Sequence, residues 1–287
     1  MQNTLLSIGH GYSAQALAPR LLAQGWAVIG TTRSVEKAER LREQGVEPLI
    51  WPGTPLPLAR ASHVLSSVAP GSEGDPVLAA EGAALAQAEH LRWLGYLSTT
   101  GVYGDHGGGW VDEDTPLTPA TERGRARVRA EADWQALARR AGLPLHVFRL
   151  AGIYGPGRGP FEKVRSPRAQ AVIKPGQVFS RIHVEDIGAV LEASIRHPAP
   201  GAVYNVCDDD PAPPQDVLDH AAALLGLPPP PRVAFGEAAL SPMARSFYAE
   251  SKRVRNDRIK RDLGVRLAYP DYRSGLAAIH SAERGAG

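Results

Sequence analysis

The first half of the chain alternates short apolar runs with helix-length amphipathic segments, and no other feature narrows the fold so far. Strand period followed by helix period, repeated, is the pattern of a parallel sheet joined by crossover helices. Thr4 to Ile8 reads as the first strand, and Ala14 to Gln24 as a helix ending at Gly25. Trp26 to Thr31 is the second strand, followed by a charged helix, Ser34 to Gln44, that stops at Gly45. Further strands read at Val46 to Trp51, His63 to Val68 and Trp93 to Ser98, with an Ala-rich helix from Asp75 to His90. A long helix from about Glu122 to Arg140 leads to a strand at Leu145 to Leu150. The fold class is α/β, a doubly wound parallel sheet.

Beyond residue 150 the rhythm breaks. Gly152 to Gln177 is rich in Gly and Pro and reads mainly as loop, the usual place for substrate contacts. A strand–helix unit follows over Phe179 to Arg196, then a short strand, Ala202 to Val206, and helices near Gln215 to Leu225 and Pro270 to Ala282. With Lys+Arg 32 against Asp+Glu 30, the formal net charge of +2 supplies no argument for a nucleic-acid partner. Cys207 is the only cysteine, which excludes an intrachain disulfide and a cysteine-based zinc site, and no metal site is expected. No apolar run is long enough to span a bilayer, and the N-terminus carries no basic segment before its apolar run. The expectation is a cytoplasmic protein, monomer or homodimer, with a small-molecule substrate and no membrane partner.

The most informative local feature is Gly9-His10-Gly11-Tyr12-Ser13-Ala14, a G-x-G-x-x-A pattern set directly after the first strand and opening a helix. The first glycine permits a tight turn, and the second lets the backbone approach a pyrophosphate. The small Ala14 lets helix and strand pack closely, with the helix N-terminus facing the phosphates. An ordinary strand–helix turn is the plainer reading of the same letters. The residue that selects the cofactor lies about 20 positions further on, where a carboxylate would bind the ribose 2′-hydroxyl of NAD. Here stand Thr31-Thr32-Arg33-Ser34, with no acid. An arginine just past the strand can pair with a 2′-phosphate, and Thr32 or Ser34 can add hydroxyls. NADP is the expected cofactor, with NAD as the alternative; a solvated Arg33 preceding a helix is the bland reading.

Several further segments carry a family resemblance. They are Ser98-Thr99-Thr100-Gly101-Val102-Tyr103-Gly104-Asp105, Asp112-Glu113-Asp114-Thr115-Pro116, Arg149 with Gly152-Ile153-Tyr154-Gly155-Pro156-Gly157, Arg181-Ile182-His183-Val184-Glu185-Asp186, and Tyr204-Asn205-Val206. With the glycine turn, these resemble the extended short-chain dehydrogenase/reductases, or NAD-dependent epimerase/dehydratases. The resemblance implies a Rossmann domain over residues 1–157, with 178–207 returning to it. It also implies a smaller C-terminal substrate domain from 158–177 and 208–287. The implied chemistry is hydride transfer to or from a substrate carbon, by an oxidoreductase or within an epimerase or dehydratase cycle.

Catalysis in that family uses a Tyr-x-x-x-Lys pair plus a Ser or Thr three residues before the valine of Val-Tyr-Gly. The tyrosinate exchanges the proton of the reacting hydroxyl, the lysine lowers its pKa, and the hydroxyl positions the substrate. Thr99 fills the hydroxyl position. Aligning Pro119 and Glu131 with the flanking residues places Arg123 at the tyrosine and Arg127 at the lysine. Arginine does not deprotonate in proteins, so Arg123 cannot shuttle a proton, though it can stabilise an alkoxide or bind an anion. The alternative is that Arg123, Arg125, Arg127 and Arg129 line the solvated face of a helix. A redox-inactive NADP(H)-binding or sensing protein is therefore the second functional reading, and the chain is an atypical member. Tyr103 and Tyr154 follow strand ends near the nicotinamide, as a candidate phenol and a candidate cofactor contact, or as packing residues. Arg158 and Arg181 are the substrate-binding candidates, Arg181 being shifted by two positions from the family's phosphate-binding arginine. His106 reads as part of a mobile polar loop, His183 and Asp186 as a structural pair, and Cys207 as a buried hydrophobe. Tyr248-Ala249-Glu250-Ser251-Lys252 matches the catalytic expression but lies in the wrong half of the chain.

Overall fold

The computed structural model describes residues 2–285. Its centre is a seven-stranded parallel sheet built from β1 (Thr4–Ile8), β2 (Ala27–Thr32), β3 (Glu47–Ile50), β4 (His63–Ser66), β5 (Trp93–Thr99), β7 (Leu145–Leu150) and β11 (Val203–Val206). A two-residue strand, β6 (Trp110–Val111), lies outside it. The order is β11-β7-β5-β4-β1-β2-β3, so the chain winds outward from β1 in one direction and from β4 in the other. That reversal opens a crevice at the C-terminal ends of β1 and β4, where this class of sheet binds its ligand.

Helices cover both faces because every central strand is buried on both sides. On one face α1 (Tyr12–Leu22) and α2 (Val35–Glu43) share a core with α6 (Val184–Arg196) and residues such as Val28, Phe148 and Tyr204. On the other face α3 (Pro76–Ala86) and α4 (Glu122–Ala141) pack together over Ile29, Val64, Leu94 and Val147. The caps match the sequence signals. Asp75 accepts from the N–H groups of Val77 and Leu78 at the start of α3, and Thr121 accepts from Gly124 at the start of α4.

The stretch 152–177, read from sequence as mainly loop, is more structured than that. It contains β8 (Gly152–Tyr154), α5 (Phe161–Arg165) and β9 (Ala171–Ile173). Strand β8 pairs in parallel with β10 (Arg181–His183), and β9 with β12 (Arg232–Ala234). A smaller core then forms where α5 meets α7 (Pro214–Leu224) and α10 (Tyr272–Gly285), around Phe161, Leu218 and Leu276. The remaining elements are α8 (Pro242–Phe247), β13 (Arg253–Val254), paired with β6, and α9 (Asp257–Leu263). Ile259 and Leu263 of α9 pack into the core of the large sheet, not into the smaller one.

A buried ion pair ties the sheet to α4. Arg149 of β7 donates to both carboxylate oxygens of Glu131, with the closest contact at 2.9 Å, and the two side chains are almost fully buried. Ser98 donates to the same carboxylate, and a further guanidinium N–H of Arg149 reaches the Tyr103 hydroxyl at 2.9 Å. Removing one partner of such a pair leaves an uncompensated charge and costs about 3–5 kcal/mol. Glu131→Ala is expected to lose stability of that order in a denaturant titration, while the apolar double variant Glu131→Leu/Arg149→Met recovers most of it.

Candidate active site

The turn after β1 is held from three sides. The Gly9 N–H donates to the Thr31 hydroxyl at 2.7 Å, and the Ser67 hydroxyl donates to the Gly9 carbonyl at 2.5 Å. Gly9 has φ +75°, and a Cβ there would stand 2.8 Å from a Val68 methyl, so no other residue fits. Gly11 is the N-cap of α1 and brings no capping side chain, and the first turn holds no acid. Its free N–H groups and positive dipole end face the crevice, a fit for a dinucleotide pyrophosphate. Ser13 and Ala14 are buried, and Ala14 is part of the sheet core, which brings helix and strand together. His10, the first variable position of the pattern, is 1% exposed and packs beside Gly30, and neither ring nitrogen finds a partner. Burial, with Lys37 nearby, lowers its pKa to about 4.

At the end of β2, Arg33 is exposed and makes no ion pair or side-chain hydrogen bond among the described residues. Thr32 and Ser34 shape the turn around it. The Thr32 hydroxyl accepts from the Ser34 N–H, and the Ser34 hydroxyl caps α2 by accepting from the Lys37 N–H.

Thr99 ends β5 half-buried. Its hydroxyl accepts from the Gly101 N–H at 3.1 Å, and its own proton has no acceptor among the described residues. Arg123, in the first turn of α4, is exposed with its guanidinium 5.8 Å from the ring centroid of Phe247. Arg127 turns toward β5 instead, donating to the Leu97 carbonyl at 2.7 Å and the Tyr96 hydroxyl at 3.0 Å. Arg125 pairs with Glu122 on the surface, and Arg129 is exposed.

Several expected roles change. Tyr103 is not placed as a proton shuttle: it is fully buried, donates to Asn205 at 2.7 Å and accepts from Arg149. Burial pushes its pKa up to about 12. Tyr154 is not placed as a cofactor contact: its hydroxyl donates to the Asp271 carbonyl at 3.2 Å, and its ring packs in the smaller core. Arg181 spends its guanidinium on the carbonyls of Phe179 and Ala212 and stands among backbone, not in the crevice. Arg158 lies over the ring of Tyr12 at 5.6 Å, on the α1 side. The loop around His106 is pinned, because the N–H groups of His106 and Gly108 both donate to the Ser251 carbonyl.

His183 and Asp186 are each structural but not paired with one another. His183 accepts from the Glu185 N–H as the cap of α6, and Asp186 accepts from the N–H groups of Ala268 and Tyr269. Cys207 is fully buried. Tyr248 packs against Phe179 and Phe235, while the Lys252 ammonium is held by the Gly104 carbonyl and Glu250. The neighbouring Phe247 nevertheless reaches Arg123, which brings this segment closer to the site than its place in the sequence suggests. Thr31, Ser67 and Lys37 were not singled out in the sequence; each acts through a partner far away in the chain or through the neighbouring helix cap.

The sheet order and the open turn define the class, a doubly wound α/β protein with a crevice at the switch point of its sheet. Residues 82–207, under half of the chain, match the model of the NAD dependent epimerase/dehydratase family, and the chain is similar to its members over that stretch. A solved structure of a functionally unknown conserved protein from Silicibacter pomeroyi is 61% identical, covers 98% of this chain and 99% of its own, and superposes with a TM-score of 0.93. Protein YeeZ of Escherichia coli K12 is 29% identical over 283 residues, 92% of this chain and 95% of that protein. A Streptomyces 3-diazoavenalumate denitrifying reductase is 32% identical over 179 residues, 58% of each chain. The family is one of NAD(P)-dependent enzymes.

Tyr103 gives a direct check on the assignment of roles. Tyr103→Phe removes a partner from Arg149 and Asn205 inside the core, a loss of about 1–3 kcal/mol. A lowered unfolding midpoint with unchanged dinucleotide affinity is expected from parallel denaturation and binding titrations.

Proposed function

We propose that the protein is an NADP(H)-dependent hydride-transfer enzyme, an oxidoreductase or epimerase/dehydratase-like catalyst. Its substrate class is a small polar molecule presenting a hydroxyl or carbonyl. The observation that carries this reading is the end of β2, where an exposed, unpaired Arg33 stands and no carboxylate does. A carboxylate there would repel a 2′-phosphate, whereas a guanidinium can engage two of its oxygens.

When bound, the nicotinamide supplies or accepts a hydride. The chain's own residues do the rest. The backbone N–H groups opening α1 hold the pyrophosphate, and Gly9, locked by Thr31 and Ser67, keeps that turn in one shape. Thr99 offers its hydroxyl proton to a substrate oxygen. Arg123, in the first turn of α4, provides a fixed positive charge able to stabilise a developing oxyanion but not to give up a proton.

A second reading, an NADP(H)-binding or sensing protein without turnover, is favoured by one observation. The phenols of Tyr103 and Tyr154 are engaged in structural hydrogen bonds, and the sequence alignment puts Arg123 and Arg127 at the family's tyrosine and lysine positions.

Two measurements test the proposal. Wild type is expected to bind NADPH more tightly than NADH, and Arg33→Asp to weaken NADPH by about tenfold or more while sparing NADH. Equal wild-type affinities, with no loss in the variant, would overturn the cofactor assignment. Thr99→Val is expected to lower kcat by about 10²–10³ with NADPH affinity nearly unchanged. Tight NADPH binding without turnover on any carbonyl or hydroxyl substrate would instead favour the sensing role.

A further inference from the structure

Between β8 and α5 the chain makes a tight turn that the proposed chemistry does not use. Gly155 and Arg158 each donate an N–H to the other's carbonyl at 2.9 Å. The turn is latched to the opening of α1, because the Tyr12 hydroxyl donates to the Pro156 carbonyl at 2.9 Å. The packing is close enough that a Cβ on Gly155 would stand 2.5 Å from that hydroxyl. This latch joins residues 144 apart in the sequence.

Tyr12 is the first residue of α1, directly after the uncapped Gly11. The latch therefore carries Arg158 to the mouth of the phosphate turn, its guanidinium 5.6 Å from the Tyr12 ring centroid. Arg158 is exposed and forms no ion pair among the described residues; Glu185, whose charge Tyr12 also feels, is exposed and does not pair with it. This exposed, unpaired guanidinium beside the first residue of α1 stands where it can meet an anion bound at that helix N-terminus.

We propose that Arg158 closes over the pyrophosphate of the dinucleotide, opposite the N–H groups of α1, and is a cofactor residue, not a substrate residue. The inference rests on the dinucleotide reading above. It adds a chemical division of labour: Arg158 reads the pyrophosphate common to every dinucleotide, and Arg33 reads the 2′-phosphate.

Calorimetric titration at low salt separates the two, using NADPH, NADH, ADP (pyrophosphate only) and adenosine 2′-monophosphate (2′-phosphate only). Arg158→Ala is expected to weaken NADPH, NADH and ADP by a similar factor, about tenfold, and to leave adenosine 2′-monophosphate unchanged. The loss shrinks as salt rises. Arg158→Lys recovers part of it, and Tyr12→Phe, which frees the turn, reproduces part of it. Arg33→Asp gives the complementary pattern, weakening NADPH and adenosine 2′-monophosphate but not ADP. Wild-type affinity of Arg158→Ala for NADPH, NADH and ADP overturns the proposal, as does a loss confined to substrate KM. Failure of wild type to bind any of the four probes overturns the dinucleotide reading, and this proposal falls with it.

Discussion

The Arg149–Glu131 pair fixes more of this molecule than any other contact. Burying two charges is unfavourable unless each is also hydrogen-bonded, and here both are: Ser98 serves the carboxylate, and Tyr103 and the Glu113 carbonyl serve the guanidinium. Tyr103 passes the connection to Asn205 of β11, whose N–H is in turn accepted by the Glu113 carboxylate. One polar network thus locks β5, β7, β11, α4 and the 112–116 segment together. Its consequence is rotational. Arg123, Arg127 and Glu131 are spaced by four, so they share one face of α4. With Glu131 anchored inward, Arg127 faces β5, and Arg123, one turn nearer the N-terminus, stands exposed beside Phe247.

Net charge says little about where an anion would bind, because many of the arginines already face a carboxylate. Arg60, Arg125, Arg165, Arg232 and Arg273 each face a carboxylate on the surface. Such exposed pairs contribute little to stability. Arg33 and Arg158 stand at the ends of the phosphate turn's surroundings, and Arg123 stands at the N-terminal end of α4. A cation in the first turn opposes the helix dipole and costs a few tenths of a kcal/mol or more.

Local chemistry made half of this legible in the sequence. The first strand and Leu145 to Leu150 agree with the structure to the residue, and the glycine turn could be placed because strand, turn and helix are contiguous. What could not be read depends on distant pairing. Strands of two or three residues, such as β8 with β10 or β6 with β13, carry no periodicity of their own and exist only because a remote segment lies alongside. The phenols were ambiguous for the same reason. The partner of Tyr103 is 102 residues away and that of Tyr154 is 117 away, so nothing nearby signalled that these hydroxyls were engaged. The Tyr12 latch that sets Arg158 beside the start of α1 is longer still.

If Arg123 and Arg127 occupy the family's tyrosine and lysine positions, as the sequence alignment places them, they represent one change in logic. A lysine beside a catalytic tyrosine serves to lower the phenol's pKa, so once the phenol is gone the lysine has no acid to tune. Arg127 takes up a different task and holds the Leu97 carbonyl, two residues before Thr99, bracing the strand end that carries the hydroxyl. The glycine turn is independent of that change, since it is built at β1, β2 and α1, where Thr31 and Ser67 fix it without help from α4. Cofactor binding and proton transfer are thereby uncoupled under the proposed function. Under the proposed function, the substrate must be one for which a hydroxyl donor and a permanent cation suffice, with solvent supplying the proton that the family's tyrosine would have carried.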